Sequence, residues 1–427
     1  MRNDPRSHGL WERSAPPAPP TYSLSDHLVA DVVVIGAGYT SLSAALHLAE
    51  REASVVVLEA TEVGFGCSGR NVGLVNAGLW MMPDALVDEL GRVYGVRLLE
   101  LLGEAPSLVF GLIEKHAISC EVARNGTLHC AVGARGLAEL EERARQWQAR
   151  GAPVRLLDQR QTAQKVGTEA YAGSLLDPRA GTIQPLAYAR GLAGAALKAG
   201  AHVFTSSLVI KVQEENGTWL VRTSSGSVRA RSVIDATNAY TINVWPQIRT
   251  ELVLLPYFNL ATKPLGDHLR RTILPERQGV WDTKKILSSL RLDQQGRLIF
   301  GSVGALRGLG RIIHPQWGRR ALQRLFPQLA GIEFEYEWYG RIGMTENRLP
   351  KLHRLAKNVI SCSGYNGRGI APGTAFGRML ARFVLGEIAE ADLPLPLSDP
   401  EPAQYRALRE AYYEGGAQVA HAATAHL

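Results

Sequence analysis

The sequence has no apolar run of the about 20 residues that a membrane-spanning helix needs, so no integral membrane segment is expected. It has only four cysteines in 427 residues, and their positions lack metal-ligand spacing. No metal site is therefore expected, and the low cysteine usage favours the reducing cytoplasm. The N-terminus carries charges and prolines without the apolar stretch of a signal peptide, which also favours a cytoplasmic location.

A concentrated basic patch is also lacking. The net charge is +7 and the pI about 9.3, but apart from short clusters such as Arg319-Arg320 the positive residues are dispersed. Without a basic patch interleaved with aromatics, nucleic-acid binding is not expected, whereas attraction of an anionic cofactor fits the charge. The length suggests two domains, and 43 glycines are typical of a loop-rich α/β protein.

The most informative segment that is present begins at residue 31. Val32–Ile35 form an apolar, mostly β-branched run that predicts a buried strand, and the Gly36–Gly38 turn follows at once. A helical apolar pattern comes next. Val55–Leu58 then predict a second buried strand, which ends at Glu59.

This unit has the chemistry of a dinucleotide site. Gly36 suits the tight turn, and Gly38, which has no Cβ, lets the backbone approach a pyrophosphate at the helix N-terminus. Glu59 is placed to accept hydrogen bonds from ribose hydroxyls, and its charge disfavours a 2′-phosphate. The third glycine of the fingerprint is replaced by the small Ser41. The alternative is an α/β core with a glycine-rich turn and no ligand.

Three further segments carry a family resemblance. Residues 66–73 (GCSGRNVG), 229–241 (RARSVIDATNAYT) and 358–387, with a strand, a glycine-rich turn and a helix, resemble the FAD-dependent D-amino-acid oxidase/glycine oxidase superfamily. The resemblance runs from about residue 10 to about residue 395. Within the superfamily, the SGRN motif, Trp11 in the N-terminal arm and the segment 338–350 most resemble γ-glutamylputrescine oxidoreductase-like amine oxidases.

The resemblance implies an α/β fold (α+β overall), with a Rossmann-like FAD-binding domain and a second, mixed-sheet substrate domain. The expected parts are an N-terminal arm (1–28), a discontinuous FAD-binding domain (29–95, 150–245 and 338–395), a substrate domain and domain border (96–149 and 246–337) and a C-terminal helical tail (396–427).

Local patterns add expected elements to this outline. Helices are predicted over 84–104, 135–150 and 185–200, and a short strand over 126–132. Residues 202–237 predict three strands with a hairpin at Glu215-Asn216-Gly217.

The resemblance also implies the residues that contact FAD. They are Gly36, Gly38, Tyr39, Thr40, Ser41, Glu59, Ala60, Ser68, Gly69, Arg70, Asn71, Val72, Gly73, Val209, Ala236, Thr237, Asn238, Gly364, Asn366, Gly367, Arg368, Gly369 and Ile370. For Arg70 the alternative is a structural ion pair, and for 364–370 a plain strand-to-helix turn. FAD is expected to be non-covalent, because Gly340 stands where sarcosine-oxidase relatives place the attaching cysteine and Cys67 is expected to be a small buried residue.

The chemistry implied by the resemblance is oxidation of a C–N bond, with hydride transfer to flavin N5 and hydrolysis of the resulting imine. Amino-acid-oxidising relatives hold the substrate carboxylate with an arginine in a segment that corresponds to residues 338–345. The ungapped match puts Ile342 at the arginine position, and the neighbouring Arg341 would face the other side of a strand unless a bulge turned it. An amine, or an amine with a distant carboxylate, is therefore favoured over a simple α-amino acid.

Several side chains are candidates for the substrate pocket, although each taken singly is expected to be structural. The catalytic candidates are Tyr365, Arg341, Tyr257 and His314, with Lys263, Trp281 and Tyr339 as further pocket residues. The expected partners are a small-molecule amine or amino acid and O2 or another electron acceptor. Three alternatives stay open: a D-amino-acid, glycine or sarcosine-type oxidase, a dehydrogenase that passes electrons to a quinone, and a non-catalytic FAD-binding protein.

Overall fold

A computed structural model describes residues 8–423, so the first seven residues of the predicted arm and the last four of the predicted tail lie outside the described part. Two large sheets organise this part, together with the two-stranded pair β3 (Leu74–Val75) and β7 (Gly181–Thr182). Within residues 8–423, no helix combines the length and the apolar character needed to cross a membrane. The predicted mixed α/β fold class is confirmed.

The first sheet has nine strands. They are β1 (His27–Ile35), β2 (Val55–Leu58), β8 (His202–Phe204), β9 (Lys211–Glu215), β10 (Thr218–Arg222), β11 (Ser227–Asp235), β17 (Lys351–Ala356), β18 (Val359–Ser363) and β19 (Leu397–Ser398). Seven strands follow the order β19-β17-β18-β11-β1-β2-β8, and those from β18 to β8 are parallel. The other two lie off this path: β10 pairs with β11, and β9 pairs with β10. Both predicted strands of the glycine unit are present, and β2 has the predicted bounds.

The apolar runs of β1 and β2 are continuous because both faces of this sheet are covered. Val32 and Val34 pack into a core with the helices on one face, whereas Val33 and Ile35 pack into a second core on the other face. The helices of the first core include α2 (Tyr39–Ala49), α3 (Pro83–Lys115), α6 (Pro185–Lys198) and α10 (Ile370–Val384). Gly91, with φ of 74°, breaks the helical geometry inside α3.

The second sheet has eight strands and is antiparallel apart from one pair. The strands are β4 (Thr127–Ala131), β5 (Arg155–Leu157), β6 (Gly173–Asp177), β12 (Val253–Pro264), β13 (Gly279–Asp282), β14 (Ser288–Leu292), β15 (Arg297–Val303) and β16 (Phe334–Met344). Their order is β16-β12-β15-β14-β13-β4-β6-β5, and β13 pairs with β4 in parallel. The remaining helices are α1 (Leu10–Ser14), α4 (Gly133–Gln148), α5 (Gln159–Val166), α7 (Pro246–Glu251), α8 (Asp267–Arg270), α9 (Gly310–Leu325) and α11 (Arg406–Ala423).

The sheets differ from the expected segmentation in three places. The segment 202–237 holds four strands rather than three, since a loop divides β8 from β9, while the hairpin at Asn216-Gly217 is present with both φ angles positive. Strands β5 and β6 fall within the range 150–245 expected for the FAD-binding domain, yet they join the second sheet because β6 pairs with β4. Strand β16 crosses the expected limit at 338 and pairs with β12 throughout. The domain limits themselves stay a prediction.

Candidate functional site

A cavity of about 1160 Å³ is lined by residues from both large sheets and their connecting loops. It brings together nineteen of the predicted FAD contacts, and Tyr365, Arg341 and Tyr257 also line it. The predicted residues among its lining are Gly36, Gly38, Tyr39, Thr40, Glu59, Ala60, Ser68, Arg70, Asn71, Val72, Val209, Ala236, Thr237, Asn238, Asn366, Gly367, Arg368, Gly369 and Ile370. The lining does not include Ser41, Gly69, Gly73 or Gly364.

The glycine turn opens one end of helix α2 towards this cavity. Gly36 adopts φ of 98°, and its N–H donates to the carbonyl of Leu58 at 2.8 Å, which joins the turn to β2. Gly38 is the N-cap of α2 and offers no capping side chain, while a Cβ on Gly38 would lie 2.9 Å from the Ser68 hydroxyl. Free N–H groups at a helix N-terminus and a backbone without a Cβ fit a pyrophosphate.

Glu59 is held at the end of β2 by the backbone of the same turn. Its carboxylate accepts hydrogen bonds from the N–H of Ala37 at 2.7 Å and from the N–H of Thr61 at 2.9 Å. Burial raises the pKa of Glu59, and these backbone donors lower it. The arrangement fixes the carboxylate at the cavity wall, where its remaining lone pairs fit ribose hydroxyls.

The loop after β2 links the two sheets. The carbonyl of Arg70 accepts hydrogen bonds from the Asn259 amide and the Trp338 indole, each at 3.0 Å, and both donors belong to the second sheet. The Nε atom of Arg70 donates to the carbonyl of Phe65 at 2.9 Å. The Cys67 thiol donates to a backbone carbonyl, and burial raises its pKa to about 11, so this cysteine is a poor nucleophile.

The turn after β18 places the N-terminus of a second helix, α10, at the cavity. Helix α10 begins after Gly369, again without a capping side chain, and its Gly377 packs so closely on α2 that a Cβ would lie 2.7 Å from the Ser43 Cβ. The Asn366 amide oxygen accepts from the N–H of Thr345 at 2.9 Å and thereby ties the turn to the end of β16. Two uncapped helix N-termini suit a ligand that carries negative charge at separated points.

Two catalytic candidates have structural contacts that explain their burial. The Tyr365 hydroxyl lies 2.7 Å from the Thr40 hydroxyl, so it joins α2 to the α10 turn. His314 lies away from the cavity lining, where its Nδ1 is 2.9 Å from the His421 Nδ1 and its ring stacks on Phe258 at 5.0 Å. This placement removes His314 from the candidates, because α9, α11 and β12 enclose it.

The pairing of β16 with β12 determines which side chains share a face of the sheet at the predicted carboxylate clamp. Ile342 pairs with Leu255, and Arg341 pairs with Pro256. Side chains alternate along a strand, so Ile342 and Arg341 lie on opposite faces, and the positive charge of Arg341 acts on Glu414 of α11. Lys263 is exposed and pairs with Glu333 at 3.0 Å, which removes it from the pocket.

The cavity also contains a cluster that sequence reasoning missed in part. Arg368 lies over the indoles of Trp80 and Trp281, with its guanidinium carbon 4.7 and 5.2 Å from the ring centroids. His129 stacks on Trp281 at 4.9 Å, and Arg143 donates to the carbonyl of Trp80 at 2.8 Å. Burial lowers the pKa of His129, and the charges of Arg143 and Arg368 lower it further. These five residues line the cavity and are called the guanidinium–indole cluster below.

One signal for this cluster was present in the sequence. Arg143 lies on the apolar face of α4, at helical spacing from the buried Leu140 and Trp147. An arginine on the buried face of an amphipathic helix indicates a specific polar contact. Nothing local marks His129, because its neighbours Trp281 and Arg143 come from other elements.

The charges of the cavity lining are unequal. Three acidic residues line it (Glu59, Glu139 and Asp282). Eight cationic residues line it: Arg70, Arg143, Arg249, Lys284, Lys285, Arg341, Arg348 and Arg368. This excess favours anionic ligands.

Comparisons with known proteins agree with this geometry. Residues 31–383 match the family model described as DAO, FAD dependent oxidoreductase. The chain is 33% identical to gamma-glutamylputrescine oxidoreductase of Escherichia coli (strain K12), covering 92% of this chain and 94% of that protein. It is also 33% identical to a probable oxidoreductase, OrdL, of Haemophilus influenzae, covering 84% and 83%. The crystal structure of glycine oxidase from Geobacillus kaustophilus superposes with a TM-score of 0.71 at 21% identity, covering 87% and 99%.

Proposed function

This chain belongs to the DAO family of FAD-dependent oxidoreductases, which act on amines and amino acids, and we propose that its substrate is a γ-glutamylputrescine-like amine. Bound FAD would supply, at N5, the acceptor for a hydride from the carbon next to the substrate nitrogen, and water would hydrolyse the resulting imine. The protein then has to bind the substrate, orient its C–N bond and tune the charge around the cofactor.

One observation carries the choice of an amine over a simple α-amino acid. The position that corresponds to the carboxylate clamp is Ile342. Arg341 also lines the cavity, but it lies on the opposite face of β16, where its charge lowers the pKa of Glu414. Ile342 shares its face with Leu255 and Tyr257, which lie in register on β12. This face offers an apolar surface to an alkyl chain and supplies no fixed cation for an α-carboxylate.

The residues of the site have separate tasks in this proposal. The uncapped N-terminus of α2 would hold the negative charge of the FAD pyrophosphate. The uncapped N-terminus of α10 would stabilise the negative charge of the reduced flavin. Tyr257 is positioned by its hydroxyl, which lies 2.7 Å from the Ser289 hydroxyl, and burial raises the pKa of Tyr257 well above its ordinary value. Tyr257 therefore stays neutral and serves to orient the substrate. No protein base is needed when the amine binds in its neutral form.

The setting of the reaction is part of the same proposal. The four cysteines are free, and three of them are buried, which supports a reducing cytoplasm. The final electron acceptor is O2 or another acceptor such as a quinone. Mixing the reduced holoenzyme with air in a stopped-flow instrument separates an oxidase, which reoxidises rapidly, from a dehydrogenase.

The test is anaerobic reduction of the bound flavin. The holoenzyme is mixed with γ-glutamylputrescine, putrescine, glycine, D-alanine and sarcosine, and the visible flavin absorbance is followed. We expect γ-glutamylputrescine to bleach the flavin fastest. Fast bleaching by glycine or D-alanine would refute the preference for an amine, and a flavin that none of the five bleaches would favour a non-catalytic role.

A further inference from the structure

The guanidinium–indole cluster is a built polar site at the cavity wall, away from the glycine turn. Its two cations are nearly fully buried, with 6% of Arg143 and 8% of Arg368 exposed. Trp80 and Trp281 pack against Arg368 and meet edge to face at 6.4 Å, and His129 stacks on Trp281. Contact with both indoles holds the Arg368 guanidinium in place.

The cluster lacks negative charge of its own. Arg368 donates one hydrogen bond to the carbonyl of Ala77 and has no ion-pair partner within residues 8–423. Arg143 has one acid nearby, Glu139 at 3.6 Å, which is 45% exposed. The Nε atoms of both arginines and Nδ1 of His129 have no hydrogen-bond partner among the described residues. Buried cations that repel each other are costly unless an anion joins them.

The sheet order separates two members of this cluster, His129 and Trp281, from the clamp position on β16. His129 lies on β4 and Trp281 on β13, and four strands (β12, β15, β14 and β13) lie between β16 and β4. Trp80 reaches back across this gap, because its indole N–H donates at 2.7 Å to the carbonyl of Asn366, in the turn before α10. Trp80 and the turn that carries Arg368 lie near Ile342, because a Cβ on Gly367 would be 3.4 Å from Ile342 Cδ1 and 3.7 Å from Trp80 Nε1. A carboxylate held at His129 would therefore lie on the side of the cluster away from Ile342.

We propose that the guanidinium–indole cluster binds a carboxylate at the end of the substrate distal to the oxidised C–N bond. Two guanidinium groups and an imidazole supply the donors that a planar carboxylate accepts, and the indoles exclude water from the pairs. The inference rests on the proposed function for the position of the reacting bond. The substrate class is thus an amine that carries a remote carboxylate.

The first test needs no variant of the protein. γ-Glutamyl-n-butylamide keeps the distal carboxylate and its α-amino group but lacks the terminal amine that the proposed reaction oxidises, and its α-carboxamide analogue differs only in that carboxylate. Isothermal titration of both into the holoenzyme gives two dissociation constants, and we expect the carboxylate ligand to bind about 10-fold or more tightly. Equal dissociation constants would overturn the proposal.

The second test assigns the carboxylate to the cluster. Arg143→Gln removes one cation, whereas Arg145→Gln removes an exposed arginine two residues away on the same helix and serves as the control. We expect R143Q to lose most of the preference for the carboxylate ligand and R145Q to keep it. FAD content and the thermal midpoint establish whether R143Q is folded. If R143Q does not fold, Arg143→Lys is tested in its place; it keeps the charge and should retain part of the preference for the carboxylate ligand. A full preference in folded R143Q would refute the assignment.

Anaerobic bleaching separates this inference from the proposed function. If no amine bleaches the flavin but carboxylate-selective binding depends on Arg143, the proposed oxidation fails and the carboxylate site stands. If putrescine and γ-glutamylputrescine bleach the flavin with the same apparent dissociation constant, the oxidation stands and the carboxylate site fails.

Discussion

Glu59 is the residue at which cofactor binding is tested most directly. The substitution Glu59→Gln keeps the size of the side chain and removes its charge. Two backbone N–H groups, of Ala37 and Thr61, already hold the carboxylate in the protein, so the lone pairs that remain are available to the ribose. The substitution therefore changes the hydrogen bonds to FAD without moving the side chain far.

The expected loss follows from the kind of hydrogen bond. A hydrogen bond to a charged group contributes about 1.5–3 kcal/mol, which corresponds to an about 10- to 150-fold weaker FAD dissociation constant. The apoprotein should not lose stability to the same degree. Removing a buried charge relieves the desolvation that raises the pKa of Glu59, and this offsets the one backbone donor that glutamine leaves unpaired.

The assay is titration of apoprotein with FAD, followed by the quenching of flavin fluorescence. Glu62→Gln is the matched control, because Glu62 is 46% exposed and three residues away. We expect E62Q to bind FAD like the unmodified protein. If E59Q bound FAD with a dissociation constant within about twofold of that of the unmodified protein, Glu59 would not contact the ribose. That result would refute our interpretation of the glycine unit as a dinucleotide site.

Two further substitutions test the frame of the site. Burial raises the pKa of Asp235 from 3.8 to about 7, so its contribution to stability is present below about pH 4 and lost as the pH rises through 7. In the unmodified protein the free energy of unfolding should therefore fall by at most about 4 kcal/mol across this pH range, and Asp235→Asn should remove that fall. Urea denaturation at several pH values measures both proteins, and the same pH dependence in both would contradict this. Gly377→Ala should lower the free energy of unfolding by about 1–3 kcal/mol and weaken FAD binding. The reason is that the alanine Cβ would collide with Ser43 and with the Thr40 carbonyl of α2. An unchanged thermal midpoint would refute the close contact between α2 and α10.

The parts of the fold that depend on neighbouring residues could be predicted from the sequence. The run Val55–Leu58 forms β2 with those bounds, because a short apolar run between polar residues suits a strand covered on both faces. The hairpin at Asn216-Gly217 follows from two residues that tolerate positive φ. Helix α6 begins at Pro185, which fits the preference of proline for the first turn.

The parts that depend on distant contacts could not. His314 has the sequence context of a helix residue, and only the packing of α11, 107 residues later, turns it into a buried partner of His421. Strand β6 joins the second sheet through its pairing with β4, which no local pattern indicates. Trp281 lies beside His129 only because β13 pairs with β4, although the two residues are far apart in the sequence.

The distribution of these contacts separates what the family shares from what distinguishes this chain. The glycine turn, Glu59 and the two helix N-termini belong to the first sheet and its helices, and they are suited to the anionic cofactor. Ile342 and most of the guanidinium–indole cluster belong to the second sheet and the helix beside it. The clamp position carries no cation, whereas two buried cations, Arg143 of α4 and Arg368 of the turn before α10, line the same cavity. In our proposal the cavity selects its substrate by a charge distal to the reacting bond, and we therefore expect that exchanging Ile342 alone would not convert this chain into an α-amino-acid oxidase.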